Sequence, residues 1–292
     1  MENAISIYDK IGACCVSALL SEVSASPKPG LVDRFSCGAH TDMDFITFTD
    51  SIAAISPYFS KFAEIGSSLK YIDKYSLGKI RPLGIKCEQE MFKATKGVNT
   101  HKGAIFTMGI IAASAGFCCR TLKSLSSDNV CNAAGMIGEG AEKDFYVPDG
   151  AMTKGRQLYA AYGIKGIRGE TASGFSSVRK YALPVMKELF AKGIYCKNDI
   201  YLQVLLNLMT QVVDTNVAAR CGIEAIEYLK SSAGNALALG GALTDQGRKE
   251  LFRMDREYIK RSISPGGCAD LLSAAITLHN LESITLQTDI NE

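Results

Sequence analysis

Gly97-Val98-Asn99-Thr100-His101-Lys102-Gly103, running straight into Ala104-Ile105-Phe106-Thr107-Met108-Gly109-Ile110-Ile111-Ala112-Ala113-Ser114-Ala115-Gly116-Phe117-Cys118-Cys119, is the stretch that decides the fold. No charge falls between Ala104 and Cys119, so the run predicts a helix buried on all sides. Counted from Gly103 it has 17 residues, which at about 1.5 Å per residue span roughly 26 Å, slightly short of a bilayer core. Thr107, Ser114, Gly109 and Gly116 favour a central helix that neighbours approach closely through small residues, and not a membrane span. Ahead of it, four consecutive hydrogen-bonding residues stand between two glycines. The first turn of a helix leaves backbone N–H groups free and carries partial positive charge, so this end, with Lys102 beside it, suits a phosphate. The competing reading is a polar turn in which Asn99 or Thr100 serves as an ordinary N-cap.

The surrounding chain has the same character. Apolar spacings of three and four run through Ile11 to Val23, Phe45 to Ile65, Ile85 to Ala94, Ala151 to Tyr162, Tyr181 to Phe190, Tyr201 to Val213, Ala218 to Leu229, Leu251 to Ile263 and Ala269 to Leu281. No alternating β-branched run lies between hairpin turns, no G-x-G-x-x-G follows a strand-like segment, and no phosphate loop of the GxxxxGK[ST] type occurs. The expected fold is therefore all-α. Connectors are expected at Ser67 to Arg81 and at Glu142 to Gly150, the latter with Pro148-Asp149-Gly150 as a turn. No repeat or composition shift divides the chain, which reads as one domain over residues 1–292.

At 292 residues and 47% hydrophobic content, the chain is long enough to bury a sizeable core. Its 32 lysines and arginines against 30 acids make no broad basic field, which argues against nucleic acid or an anionic membrane as partner. Ten cysteines occur without a CxxC pair, and only three histidines accompany them, so a zinc site is not expected. Unpatterned cysteines, the lack of an N-x-S/T acceptor, and acids at Glu2 and Asp9 before the first apolar run all fit a reducing cytoplasm.

Five polar, glycine-bearing motifs interrupt the helices. The first runs from Pro27-Lys28-Pro29-Gly30 through Asp33 to His40, Asp42 and Asp44; its carboxylates, beside an anion site, suggest Mg²⁺, while Asp44 could equally cap the helix that starts at Phe45. The second is the Asn99–Gly103 turn. In the third, Gly166-Ile167-Arg168-Gly169-Glu170, a fork-shaped phosphate partner lies two residues from an acid. In the fourth, Asp214-Thr215-Asn216 ends an apolar run and precedes Arg220. The fifth, Ser264-Pro265-Gly266-Gly267-Cys268-Ala269-Asp270, is a second glycine-rich entry into a helix. Each admits a structural alternative, as a cap, a turn or a surface charge pair.

Taken in order, Glu22-Val23-Ser24, Pro27 to Asp33, Gly38-Ala39-His40 with Asp42-Met43-Asp44, Gly97 to Gly103, Gly166 to Glu170, Asp214-Thr215-Asn216 and Ser264 to Asp270 resemble the triphosphoribosyl-dephospho-CoA synthases. The resemblance runs from about Leu19 to Leu272. Cys37, Cys221 and Cys268 depart from it, standing where asparagine, glycine and serine are expected.

The resemblance implies an all-α enzyme that joins ATP to 3′-dephospho-CoA and releases adenine. The product is the prosthetic-group precursor of citrate lyase, or in a sister branch of malonate decarboxylase, passed to a transferase that loads an acyl carrier protein. A homodimer is left open. On that basis Lys28, Asn99, Thr100, Lys102, Gly103 and Arg168 are expected at phosphates. His40, Asn216, Arg220, Ser264, Gly266, Gly267 and Asp270 join them as substrate contacts. Asp33, Asp42, Asp44 and Asp214 are the candidates for Mg²⁺, with Asp33, Asp42 and Asp214 also for charge stabilisation at the ribose. Glu170 and His101 are the proton-transfer candidates, because a histidine titrates near neutrality. His279, late on an apolar helix, reads as structural. Other readings of the same residues are a Mg²⁺-dependent nucleotide or ADP-ribose hydrolase, and a non-catalytic nucleotide-binding protein.

Overall fold

The uncharged run is α4, Lys102–Thr121, and from Ala104 to Gly116 only Phe106 escapes full burial. This computed structural model describes residues 5–145 and 153–286. Against α4 lie α1 (Ile7–Ser24), α2 (Phe45–Ser68) and α13 (Gly266–Glu282). The small residues work as their spacing suggests. A Cβ on Gly116 would fall 1.9 Å from the Ala63 carbonyl oxygen, and one on Gly66 1.8 Å from that of Ala113, so α2 and α4 touch backbone to backbone. Among the described residues α4 is the one helix long and apolar enough to cross a membrane, yet 72% of that window is buried inside the fold, as befits a core helix.

A second layer completes the molecule. α3 (Ser76–Ala94) packs on α2 and α4, and α5 (Ser127–Gly138) on α4. α6 (Lys154–Tyr162) and α7 (Gly166–Ala172) are short, and a π-turn at Val178–Ala182 leads into α8 (Leu183–Lys192). α9 (Lys197–Gln211) packs on α13 and on α11 (Glu224–Ala238), which follows the short α10 (Thr215–Cys221) and precedes α12 (Asp245–Arg261). The described residues contain thirteen α-helices and no strand.

Three differences from the sequence reading have local causes. The connector expected over Ser67 to Arg81 ends early, because Asp73 accepts the backbone N–H groups of Tyr75 and Ser76 and so starts α3, which carries Pro82 in its interior. The helix expected from Ala218 to Leu229 is two, divided where Gly222 takes φ +88. α5 was not anticipated, since Ser127, Asn129, Asn132 and Gly135 dilute its apolar spacing. Of the second connector, residues 142–145 belong to a 3₁₀ turn, while Pro148-Asp149-Gly150 and the expected helix start at Ala151 lie outside the described residues.

Candidate active site

The C-terminal end of α1, the loop after it and the first turns of α4, α10 and α13 enclose a cleft of about 900 Å³, near the upper end of the range for small-molecule sites. Its floor is charged. In the last turn of α1, Glu22 faces inward and holds the Lys28 ammonium in a buried ion pair. Burial pushes the Glu22 carboxyl above its usual range, and Lys28 opposes that. Asp33 stands behind this pair and does not line the cleft. Its Oδ2 accepts the Lys28 N–H at 3.0 Å, and its Oδ1 accepts those of Phe35 and Ser36 at 2.8 and 3.0 Å. Further along the loop, Asp42 lines the cleft and is largely exposed, 3.7 Å from His40 Nδ1. His40 Nε2 lies 2.8 Å from Ser264 Oγ, and burial followed by the nearby Arg220 keeps its ring below its ordinary pKa. Asp44 is exposed outside the cleft, where it caps α2 through Thr47.

At the start of α4, Asn99 Oδ1 accepts the Lys102 N–H at 3.2 Å, whereas the N–H groups of Gly103 and Ala104 find no acceptor among the described residues. The Lys102 side chain turns to Glu88 at 3.1 Å and is 56% exposed. Asp270, just past the first turn of α13, brings Oδ2 so close to Gly103 that a Cβ there would lie 2.0 Å away. No described protein group donates to that carboxyl. Burial, then Glu22 and then Asp214 push it well above the ordinary carboxylate range. His101 is buried, with Nδ1 2.7 Å from Ser51 Oγ and Nε2 without a partner. Burial, with Lys28 nearby, pushes its ring down to about 3, so it does not titrate near neutrality as the sequence reading supposed.

α7 separates two residues that the sequence placed together. Positions two apart on a helix differ by about 200° in direction. Glu170 lines the cleft, its carboxylate accepting from Ser177 Oγ at 2.5 Å and Ser177 N at 3.2 Å. Arg168 is absent from the cleft wall; its guanidinium meets Asp144 at 3.4 Å and lies over the Phe145 ring. Asp214 joins two helices. Its Oδ1 accepts the N–H groups of Asn216 and Val217 at the head of α10, and its Oδ2 accepts that of Cys268 in α13 at 2.9 Å. Asn216 packs on Gly266, where a Cβ would come 2.8 Å from its Nδ2, and Gly267 leaves room for the Asp214 carboxylate. Among the described residues no three His, Cys, Asp or Glu side chains gather as a metal-ligand set.

Residues 8–288 match the family described as ATP:dephospho-CoA triphosphoribosyl transferase. The chain belongs to that family. The 2-(5″-triphosphoribosyl)-3′-dephosphocoenzyme-A synthase of Pectobacterium atrosepticum is 40% identical over 265 residues, covering 90% of this chain and 86% of the relative. Relatives from Pectobacterium carotovorum and Citrobacter koseri, which bear the same name with the qualifier "Probable", are 41% identical over 265 residues and 39% over 257. They cover 90% and 87% of this chain and 86% and 85% of their own lengths.

In this transferase, Lys28, His40, Asp42, Asn99, Thr100, His101, Lys102, Gly103, Glu170, Asp214, Asn216, Arg220, Ser264, Gly266, Gly267 and Asp270 from the sequence reading share the cleft wall. Asp33, Asp44 and Arg168 do not. Asp33 and Asp44 direct their oxygens to backbone N–H groups, and Arg168 faces away. Among the lining residues that escaped the sequence reading as site candidates are Glu22, Lys154 and Ser177. Glu22 left a signal, an acid set among the buried positions Leu19 and Val23 of an apolar helix. Lys154 and Ser177 left none.

Asp214 is held as a cap, its oxygens spent on three backbone donors. Asp214→Asn would turn an amide N–H₂ towards one of them. It is expected to cost about 1–3 kcal/mol and lower the Tm by several degrees with or without ligand. Thermal melts check this; an unchanged Tm would mean that the carboxylate is not the tie between α10 and α13.

Proposed function

We propose that the cleft transfers the triphosphoribosyl group of ATP to the 2′-hydroxyl of 3′-dephospho-CoA and releases adenine, within one domain whose core extends from Ile11 to Leu281. What supports this most directly is that Glu22, Asp42, Glu170 and Asp270 share a single cleft with Lys154 and Arg220 in a member of this family. The bond from ribose C1′ to the adenine nitrogen breaks, and one from C1′ to the acceptor oxygen forms. Positive charge grows on the ribose in between, and carboxylates close by lower its energy.

Two protons must move. Glu170, oriented by both donors of Ser177, is the base for the hydroxyl proton. Asp270, whose surroundings favour the neutral form, gives its proton to the departing adenine. The triphosphate passes through intact. Lys154, Arg220 and the free N–H groups of Gly103 and Ala104 are the donors for it. Mg²⁺ fits as an ion carried in on the triphosphate, which needs only one or two protein carboxylates and supplies charge neutralisation. Asp42, exposed at the cleft, can meet it. The product then serves a cytoplasmic transferase that loads an acyl carrier protein.

The two lysines differ in availability. Lys154 has no ion pair among the described residues, whereas Lys102 is paired with Glu88. Lys154→Ala is expected to weaken ATP binding about ten-fold and Lys102→Ala by much less. Calorimetric titration with ATP distinguishes them, and the reverse order would move the triphosphate to the Glu88 side of α4. The reaction itself is tested by following adenine and the dephospho-CoA adduct together.

A further inference from the structure

Thr100 Oγ1 donates to Ser51 Oγ at 2.8 Å, and the same Ser51 Oγ lies 2.7 Å from His101 Nδ1. Ser51 belongs to α2 and is fully buried, so its hydroxyl must find its partners within this small group. A serine hydroxyl carries one proton and two acceptor sites. Thr100 already fills one acceptor site. Were hydrogen also present on His101 Nδ1, Ser51 would receive two donors, and its own proton would be left without an acceptor in a closed site. The consistent arrangement has Thr100 donating to Ser51 and Ser51 donating to Nδ1. Hydrogen then sits on Nε2, the edge of the ring that has no protein partner.

We propose that Thr100 and Ser51 form a two-hydroxyl relay that fixes the His101 hydrogen on Nε2, making this ring a neutral donor to an anionic oxygen of the bound nucleotide and not a base. The inference rests on the transferase reading for the identity of that nucleotide. Independent observations agree with it. Phe48 stands edge-on to the ring at 4.8 Å and 71°, and the His101 backbone N–H is held by Met91 Sδ at 3.2 Å, so the ring cannot turn to exchange its nitrogens without losing Ser51. Burial and the Lys28 ammonium keep it uncharged. The adjacent N–H groups of Gly103 and Ala104 also lack acceptors, so three donors at the head of α4 await an acceptor-rich group. Ser51 is thereby a positioning residue, acting through His101.

The experiment is long-range ¹⁵N–¹H spectroscopy of histidine-labelled full-length protein, with His101 assigned by its loss in His101→Gln. The expected spectrum shows Nδ1 bare and Nε2 protonated from about pH 6 to 8, in Ser51→Thr as in the wild type, with Ser51→Ala losing the single tautomer. Adding ATP is expected to move the Nε2–H resonance. In turnover, His101→Gln, whose amide can place an N–H near Nε2, is expected to keep at least about ten-fold more kcat/KM than His101→Phe. A hydrogen on Nδ1, an Nε2–H resonance that saturating ATP leaves in place, or equal losses in the two variants would overturn the proposal. A wild-type protein that releases no adenine would instead sink the transferase reading, and the tautomer and its response to ATP would still decide the relay.

Discussion

Asp270→Asn is expected to slow adenine release by about 10²- to 10⁴-fold, the range for losing a general acid, while the folded protein stays as stable as the wild type or becomes more so. Asparagine matches the shape of a neutral carboxylic acid but cannot surrender a proton. It also removes a carboxyl that is buried near Glu22 and Asp214. The sign follows from proton linkage. A carboxyl whose folded pKa lies above its unfolded value favours the fold fully at pH below the unfolded value, and that contribution is lost as pH rises through the folded one. Wild-type stability should therefore decline from the ordinary carboxylate range upward through the raised Asp270 value, and the Asn variant should decline less. Product assays and melts across pH check both halves. A variant with normal turnover would remove Asp270 from proton transfer, and one that melts early would make it a structural residue.

Lys28→Met should have the largest effect on stability. It leaves Glu22 buried without its cation, beside Asp270, and breaking a buried pair from one side costs about 3–5 kcal/mol. Adding Glu22→Gln is expected to restore most of that loss, since an uncharged pair of similar volume has no ion left to desolvate. Denaturant unfolding of the two single variants and the double variant measures the coupling. Equal stability of Lys28→Met and wild type would mean that the pair contributes nothing to the fold, and that Lys28 is held ready for substrate instead.

Much of the architecture was legible because burial leaves a periodic trace. The uncharged run before Arg120 is the core helix, and the glycines within it are where α2 meets its backbone. The Phe45 start of α2 was readable from Asp44 as cap. What failed had no such trace. Gly222 divides two helices whose apolar residues keep step across the break, and α5 buries mostly small side chains, with Val130 and Ile137 as its larger apolar ones.

The site was legible as a set of motifs but not as a set of directions. Sequence proximity put Arg168 with Glu170, and helical rotation sends them to different sides. It grouped Asp33, Asp42 and Asp44 as one acidic cluster, whereas a loop tie, an open carboxylate and a helix cap are three different uses. The link from Ser51 to His101 crosses 50 positions and is visible only once α2 and α4 are packed together.

The most direct test of the account is to incubate the pure protein with ATP, Mg²⁺ and dephospho-CoA and follow the small molecules by mass. Free adenine is expected to appear in step with a dephospho-CoA adduct that retains all three transferred phosphates, and not to appear when dephospho-CoA is withheld. Release of ADP or pyrophosphate, or of adenine in the absence of dephospho-CoA, would contradict it.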